Sequence, residues 1–594
     1  MKIPVICTTL LIEKSPQALP LGAACIATAI KHNPLTENHT KVGLKTFSLE
    51  DKEIEKIRKD ENKIAEFIAA KLYKEAEKKS DSTTTIEHEK VSTGTPFVFC
   101  FSCFVWNITI LEKAAIILRK KSCICIAGGP EITAHPEFYK GFDYTVSGEG
   151  EESLPKLISQ IISQKGWADD DGDNGRKSLN MSTNIDFLQE NSPSNVIISS
   201  SPELSKLHSP YLDGILNPSE YEGALWELAR GCPFRCSYCY ESKGQKKVRY
   251  FPMERIKAEL DLFSAKKVPQ IFVLDPTYNV DKKRAVELLR LISKKTPDTF
   301  YYFEARAEFI DRELAHEFTR IPCALQIGLQ SANEQTLKLV NRPFDKKKFL
   351  KGISILNEEG VTFGLDLIFG LPGETFGSFR EGIDFAISVY PNNLEIFCLS
   401  VLPGTDLFDR ADSLGLIYEK NPPYHVIKTK DFSPEDIERA QKLSKACTCF
   451  YNSGRAVPWF NSICRVLKFK PSKLFELFYQ NYSAECEKLC SDCGNENHEN
   501  IQKIQLEFLH SQFASKNLMR YYAAAEDIVK FYGAISRTTD TRKSEILTLN
   551  YDADYVASDY ASDIKYFTEN LHPKKCRIQT FIDKSGNVDF KKVK

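Results

Sequence analysis

The sequence predicts an α/β protein: a doubly wound parallel sheet, then a second series of alternating strands and helices, then a mainly helical remainder. Three observations predict this. Continuous apolar runs such as Ile3 to Leu11 and Phe97 to Phe101 read as strands buried on both faces. Helical patterns separate those runs, as parallel strands require. The alternation fades into a polar stretch and resumes at Tyr221, so a single core does not account for 594 residues.

Taken in order, Ile3 to Leu11 leads through Ser15-Pro16 to a small-residue helix, Leu19 to Lys31, with Pro20 near its first turn. Lys41 to Phe47 is the next strand and Asp51 to Lys79 a charged helix, while Ser80 to Gly94 is polar and reads as loop. Phe97 to Phe101 is a strand, Asn107 to Lys120 a helix, and Cys123 to Ala127 a strand ending in Gly128-Gly129-Pro130. Ser153 to Gln164 is a short helix. In such a sheet any ligand sits at the carboxyl ends of the strands. Ala168-Asp169-Asp170-Asp171-Gly172-Asp173-Asn174-Gly175 opens a Ser- and Asn-rich run to about Ser201, too polar to bury a core. The run lacks the full calcium-loop pattern and reads as linker.

From Tyr221 to about Leu416 six strands are expected: Ala224 to Ala229, Ile271 to Asp275, Phe300 to Arg306, Ala324 to Ser331, Val361 to Phe369 and Leu394 to Val401. Beyond Ser433-Pro434 the pattern is helical to about Tyr532, and Asp583 to Asp589 reads as the turn of a small hairpin. The expected parts are residues 1–165, a polar linker over 166–220, 221–430, and 431–594.

A net charge of −1 lacks the basic excess of a phosphate-backbone binder, so no nucleic-acid partner is expected. No apolar stretch is long enough to span a bilayer, and no membrane association is expected. Eighteen cysteines without a secretory signal point to free or metal-bound thiols in a reducing cytoplasm.

Three of those cysteines stand out. Arg230-Gly231-Cys232-Pro233-Phe234-Arg235-Cys236-Ser237-Tyr238-Cys239 has the spacing Cys-x3-Cys-x2-Cys, directly after an expected strand. Half a zinc site would need a further Cys or His at a second short spacing, and Tyr240 to Tyr250 holds neither. A cubane 4Fe-4S cluster usually takes four thiolates. A loop giving three leaves one iron open, the mark of a catalytic centre.

This motif resembles that of the radical S-adenosylmethionine superfamily, whose usual fold is a partial (β/α)6 barrel. The resemblance implies a cluster on Cys232, Cys236 and Cys239 whose open iron binds S-adenosylmethionine. Gly364-Leu365-Asp366-Leu367-Ile368-Phe369-Gly370-Leu371-Pro372-Gly373-Glu374-Thr375 and Leu337-Lys338-Leu339-Val340-Asn341-Arg342-Pro343 are similar to the branch with oxygen-independent coproporphyrinogen oxidases and methylthiotransferases. By that likeness Gln330 and Asp366 contact the ribose and methionine end of S-adenosylmethionine, Arg342 its carboxylate, and Glu304 its amino or ribose groups, with Tyr238 beside the cluster. A guanidinium fork suits a carboxylate, and acceptors suit vicinal hydroxyls. The second strand departs from the family's Gly-Gly-Glu type, offering Leu274-Asp275-Pro276-Thr277-Tyr278-Asn279.

Upstream, Ser102-Cys103-Phe104-Val105-Trp106-Asn107, Gly128-Gly129-Pro130-Glu131 and Val146-Ser147-Gly148-Glu149-Gly150-Glu151 together resemble the Rossmann-like cobalamin-binding domain that precedes many such barrels. Ser102, Gly128, Gly129 and Gly148 would then face cobalamin. Thr8-Thr9-Leu10-Leu11 stands where many such domains carry Asp-x-His-x-x-Gly, and His135 lacks that context, so no histidine is expected on cobalt. The resemblance implies a 5′-deoxyadenosyl radical, and methylation or rearrangement at an unactivated carbon. It also implies an electron donor such as flavodoxin or ferredoxin. The substrate, a small molecule or peptide, and the catalytic residue are not legible. A methylthiotransferase-like enzyme without cobalamin and a non-catalytic iron–sulfur redox sensor are the alternatives. Cys486-x3-Cys490-x2-Cys493 repeats the spacing, but charged intervals and helical pattern read as two helix thiols one turn apart rather than an auxiliary cluster.

Overall fold

A computed structural model of the chain describes residues 2–80, 97–164, 195–242, 247–489 and 495–593. Two six-stranded parallel sheets organise it. The first comprises β1 (Ile3–Leu11), β2 (Thr40–Ser48), β3 (Val98–Ser102), β4 (Ile124–Gly128), β5 (Tyr144–Ser147) and β6 (Val196–Ile198), in the order β2-β1-β3-β4-β5-β6. All nine residues of β1 are buried, which is why its sequence is apolar without alternation. Helices α1 (Leu21–His32), α2 (Lys52–Glu55), α3 (Glu61–Lys79), α4 (Ile108–Arg119), α5 (Pro130–Ala134) and α6 (Ser153–Gln164) connect these strands, and the longer ones cover the sheet.

Two details differ from expectation. The charged helix starting near Asp51 is broken: Asp60 accepts from the backbone N–H groups of Asn62 and Lys63 and so begins a new helix. Val196–Ile198, inside the stretch expected to be linker, pairs with β5 as the sixth strand. Its apolar residues are too few to stand out among Ser and Asn neighbours. The Asp run of residues 169–175 and most of the polar stretch 80–94 lie outside the described residues.

The second sheet begins at β7 (Ala224–Trp226). A two-residue ladder of β8 (Ala229–Arg230) and β9 (Arg249–Tyr250) follows, and then β10 (Gln270–Val273), β11 (Phe300–Ala305), β12 (Cys323–Gln330), β13 (Phe363–Phe369) and β14 (Asn393–Cys398). Its order is β14-β13-β12-β11-β10-β7, strictly sequential and open between β7 and β14, which is a partial (β/α)6 barrel. Alternation along each strand divides the residues. Tyr301, Phe303, Leu325, Ile327, Leu365 and Leu367 are buried in the apolar core. Tyr302, Glu304, Gln326, Gly328, Asp366 and Glu395, on the opposite face, remain accessible from the lumen.

The expected first strand stops early, at Trp226, because the Asp275 carboxylate takes the N–H groups of Leu228 and Ala229 at 3.0 and 2.9 Å. After the barrel β15 (Ile417–Tyr418) and β16 (Val426–Lys428) pair, the described residues from Pro434 to Thr541 are mainly helical, and β17 (Ile546–Leu549), β18 (Cys576–Ile582) and β19 (Val588–Lys592) form an antiparallel sheet. The expected hairpin turn is there, with Gly586 at φ +86°. No helix among the described residues is long and apolar enough to cross a membrane.

Candidate functional site

The three-cysteine loop lies past the carboxyl end of β7, at the mouth of the barrel. Backbone contacts fix it there. Ser237 donates its N–H to the Val340 carbonyl at 2.9 Å, Leu407 donates to the Ser237 carbonyl at 2.8 Å, and the Asn341 amide donates to the Arg235 carbonyl at 2.7 Å. The segment Leu337 to Pro343 is thus bound directly to the loop. Cys236 is buried, and Cys232 and Cys239 are half-buried. Burial pushes the Cys232 thiol up and the Cys239 thiol up to about 11, opposed in Cys232 by the Phe234 N–H and the Thr277 hydroxyl, and in Cys239 by the Glu241 N–H. Such thiols need a metal's charge to become thiolates. No group of three or more His, Cys, Asp and Glu among the described residues is gathered as ligands of one metal ion. A cubane asks for something else, because each thiolate takes a separate iron.

Arg342 crosses from the Leu337 segment to this loop. Its Nη1 donates to Cys236 Sγ at 3.8 Å and to the Tyr238 hydroxyl at 3.5 Å, and Nη2 donates to the Gly328 carbonyl. Its Nε is buried without a partner. Gln330 stands beside it, at φ +68°, where β12 shifts register against β13 between Gly328 and Gln330. A non-glycine residue held in the left-handed region at a strand end marks a site where backbone strain is retained. The Gln330 Oε1 is also buried without a partner. An added Cβ at Gly328 would come within 2.3 Å of Gln330 Nε2 and 3.2 Å of Arg342 Nη2, so glycine is what lets both groups converge. Two unsatisfied polar atoms beside three thiols fit a polar ligand with a carboxylate and hydroxyls.

On the neighbouring strand, Asp366 pairs in register with Gly328 on β12 and with Glu395 on β14. It accepts from Gln326 Nε2, yet burial raises its carboxyl to about 7, with Glu395 adding to the rise. Glu304 also stands at about 7, through desolvation first and the charges of Asp366 and Glu241 second. Glu304 is exposed, on the lumen face of β11. Carboxylates raised this way await a cation, which would restore their ionised form.

The second strand's departure has a structural account. Asp275, buried and raised to about 7 by desolvation, is committed to the backbone leading into the cysteine loop, and Thr277 bonds Cys232. Asn279 brackets the Arg306 backbone, donating to its carbonyl at 2.9 Å and accepting its N–H at 3.0 Å. Arg306 in turn stacks over Phe234 of the loop at 4.2 Å. The polar residues of this strand end therefore brace the loop rather than face the lumen.

At the first sheet, Ser102 and Gly128 are in register at the ends of β3 and β4, with Gly129 and Gly148 alongside. Gly129 (φ +101°) and Gly148 (φ +99°) are required: a Cβ would fall 2.5 Å from the Cys103 carbonyl oxygen and 3.0 Å from the Ser199 carbonyl oxygen. Trp106, 45% exposed, stacks on Phe104 at 4.5 Å and adds a flat apolar face to this edge. The carboxylates of the motifs are used within the protein. Glu131 accepts from the Tyr139 hydroxyl at 2.6 Å and from the Tyr424 hydroxyl, and Glu149 and Glu151 bind Arg230. His135 packs edge-on against Phe408 at 5.4 Å. Of the repeated cysteine motif, Cys486 is buried on a helix and hydrogen-bonds Cys449, whose thiol it holds below the usual range; Cys490 and Cys493 lie outside the described residues.

Comparison with known proteins agrees with this geometry. Residues 226–386 match the family model of the Radical SAM superfamily, and residues 412–589 match one described as "Protein of unknown function (DUF4080)". The chain is 26% identical over 368 residues to the cobalamin-dependent radical SAM methyltransferase TokK of Streptomyces tokunonensis, covering 57% of this chain and 52% of that protein. It is 25% identical over 337 residues to 2-(S-pantetheinyl)-carbapenam-3-carboxylate methyltransferase of Streptantibioticus cattleyicolor, covering 52% and 48%. The chain thus spans about half the length of these curated relatives. The solved structure of the cobalamin-dependent S-adenosylmethionine radical enzyme OxsB with aqua-cobalamin bound superposes with a TM-score of 0.51 at 14% identity, over 96% of this chain and 85% of that one, a likeness of fold. Motif, barrel order and sequence comparison converge on one assignment: over residues 226–386 this chain carries a domain of the radical SAM superfamily.

Proposed function

We propose that this protein is a radical S-adenosylmethionine enzyme with a cobalamin-binding first domain, acting on an unactivated carbon of its substrate and most simply as a methyltransferase. The observation that carries the reading is the convergence of Arg342 and Gln330, each with a buried unpartnered atom, beside Cys236 at the barrel mouth. When bound, a 4Fe-4S cluster supplies the electron that splits S-adenosylmethionine to a 5′-deoxyadenosyl radical, and cobalamin supplies a methyl carrier.

Cys232, Cys236 and Cys239 would hold the cluster, with Tyr238 packed beside it. Arg342 offers its fork to the methionine carboxylate, which a single ammonium could orient less well. Gln330 accepts or donates at the ribose. Glu304 and Asp366 supply acceptors whose ionisation the ligand's sulfonium and ammonium charges favour. Ser102, Gly128, Gly129 and Gly148 would let backbone approach the corrinoid. The reading includes a reducing cytoplasm and an electron donor of flavodoxin or ferredoxin type.

Anaerobic reconstitution followed by iron and cobalt analysis tests it. The expected result is about four irons per chain and corrinoid absorbance after incubation with hydroxocobalamin. Iron without corrinoid would favour an enzyme of methylthiotransferase type, and absence of iron would overturn the reading.

A further inference from the structure

The cysteine loop is held from the first sheet through Arg230. Arg230, separated from Cys232 by Gly231 alone, has a side chain 14% exposed and meets three carboxylates: Nη1 to Glu149 at 2.6 Å, Nη2 to Glu151 at 2.8 Å, and Nε to Glu227 at 2.8 Å. Burial opposes its charge, but Glu227 and Glu151 outweigh burial and hold the guanidinium above its ordinary range. Glu149 and Glu151 belong to the turn that starts at Gly148, and Arg249, the ladder partner of Arg230, also donates to Glu149. The Gly148 turn is joined in its turn to the Gly129 turn, because the Thr133 hydroxyl accepts the Gly148 N–H at 2.9 Å and donates to the Gly129 carbonyl at 2.9 Å.

Both glycine turns at the first sheet's carboxyl edge are thus tied to the loop that carries the three thiols. We infer that Arg230 is a positioning residue that couples occupancy of the Gly129 and Gly148 turns to the geometry of the cysteine loop; this rests on the functional reading above. A largely buried guanidinium with three fixed acceptors does not exchange partners freely, since each broken contact leaves a desolvated charge unpaired. Movement of the Gly148 turn therefore moves Arg230, and with one residue between them it moves Cys232. Coupling of this kind is reciprocal: what a ligand at the turns does to the loop, a cluster in the loop does to the ligand's affinity.

The test uses the full chain under anaerobic conditions, with hydroxocobalamin titrated into wild type, Arg230→Lys and Glu149→Gln, each with and without a reconstituted cluster. Wild type is expected to bind hydroxocobalamin at least about fivefold more tightly when iron-loaded, and the electron paramagnetic resonance of its reduced cluster is expected to shift on adding the corrinoid. Both effects should shrink in the two variants while their iron content is retained. Equal affinities and an unmoved spectrum in wild type would overturn the coupling alone. Undiminished coupling in both variants would overturn the assignment to Arg230, and Glu149→Gln decides if Arg230→Lys does not fold. A wild type that takes up neither iron nor hydroxocobalamin would overturn the functional reading itself.

Discussion

Arg342 Nη1 points at the sulfur of Cys236 across 3.8 Å, from a segment more than a hundred positions further along the chain. On the proposed function, the guanidinium would meet the carboxylate of S-adenosylmethionine bound at the cluster. Arg342→Lys keeps the charge and loses the fork. Iron content should be unchanged while affinity for S-adenosylmethionine falls about tenfold, near 1.4 kcal/mol, as read by calorimetry. Unaltered affinity would remove Arg342 from the site.

Glu304 and Asp366 both stand near 7 at the barrel lumen. Their protonated forms dominate below that pH and only the ionised forms attract a cation. Affinity for S-adenosylmethionine should therefore rise with pH up to about 7 and level off above it, with proton release on binding below 7. Asp366→Asn should flatten the profile. A profile unchanged by that substitution would show that Asp366 does not face the ligand.

His498, buried in the helical region, accepts from Arg537 Nη1 at 3.2 Å and donates to the Gly454 carbonyl; burial, then Arg455 and Arg537, depresses it to about 3. The unfolded chain protonates near 6.5, so between about 3 and 6.5 the unfolded state binds the extra proton. The contribution is fully present above 6.5 and is lost as pH falls through that window. His498→Gln should weaken the pH dependence of unfolding between 6.5 and 4, measured by denaturant titration.

The His135 ring is engaged with Phe408. In the cobalt(II) form of the corrinoid-loaded protein, no axial nitrogen splitting is expected, and the spectra of wild type and His135→Ala should coincide. Splitting that vanished in the variant would make His135 a ligand.

What was legible in the sequence follows from how local the signal is. β1 could be read because burial on both faces leaves an unbroken apolar run, and the barrel strands because apolar runs recur between helical segments, two of them with polar residues such as Glu304 or Gln330 near their ends. The spacing of Cys232, Cys236 and Cys239 is local as well. Contacts between distant segments leave no such trace. Nothing near Ala229 announces that Asp275 will end the strand at Trp226, and nothing near Gly148 announces that Glu149 and Glu151 will hold Arg230. β6 was too short to show, and the pairing of Cys486 with Cys449 depends on how two helical segments pack.

The most direct measurement is 5′-deoxyadenosine production from S-adenosylmethionine by the anaerobically reconstituted, dithionite-reduced chain, beside Cys232→Ala, Cys236→Ala and Cys239→Ala. Production by the wild type and none by any of the three variants is the predicted result. Production that persisted in all three, or that was absent from an iron-loaded wild type, would contradict the assignment of this loop as the site of cleavage.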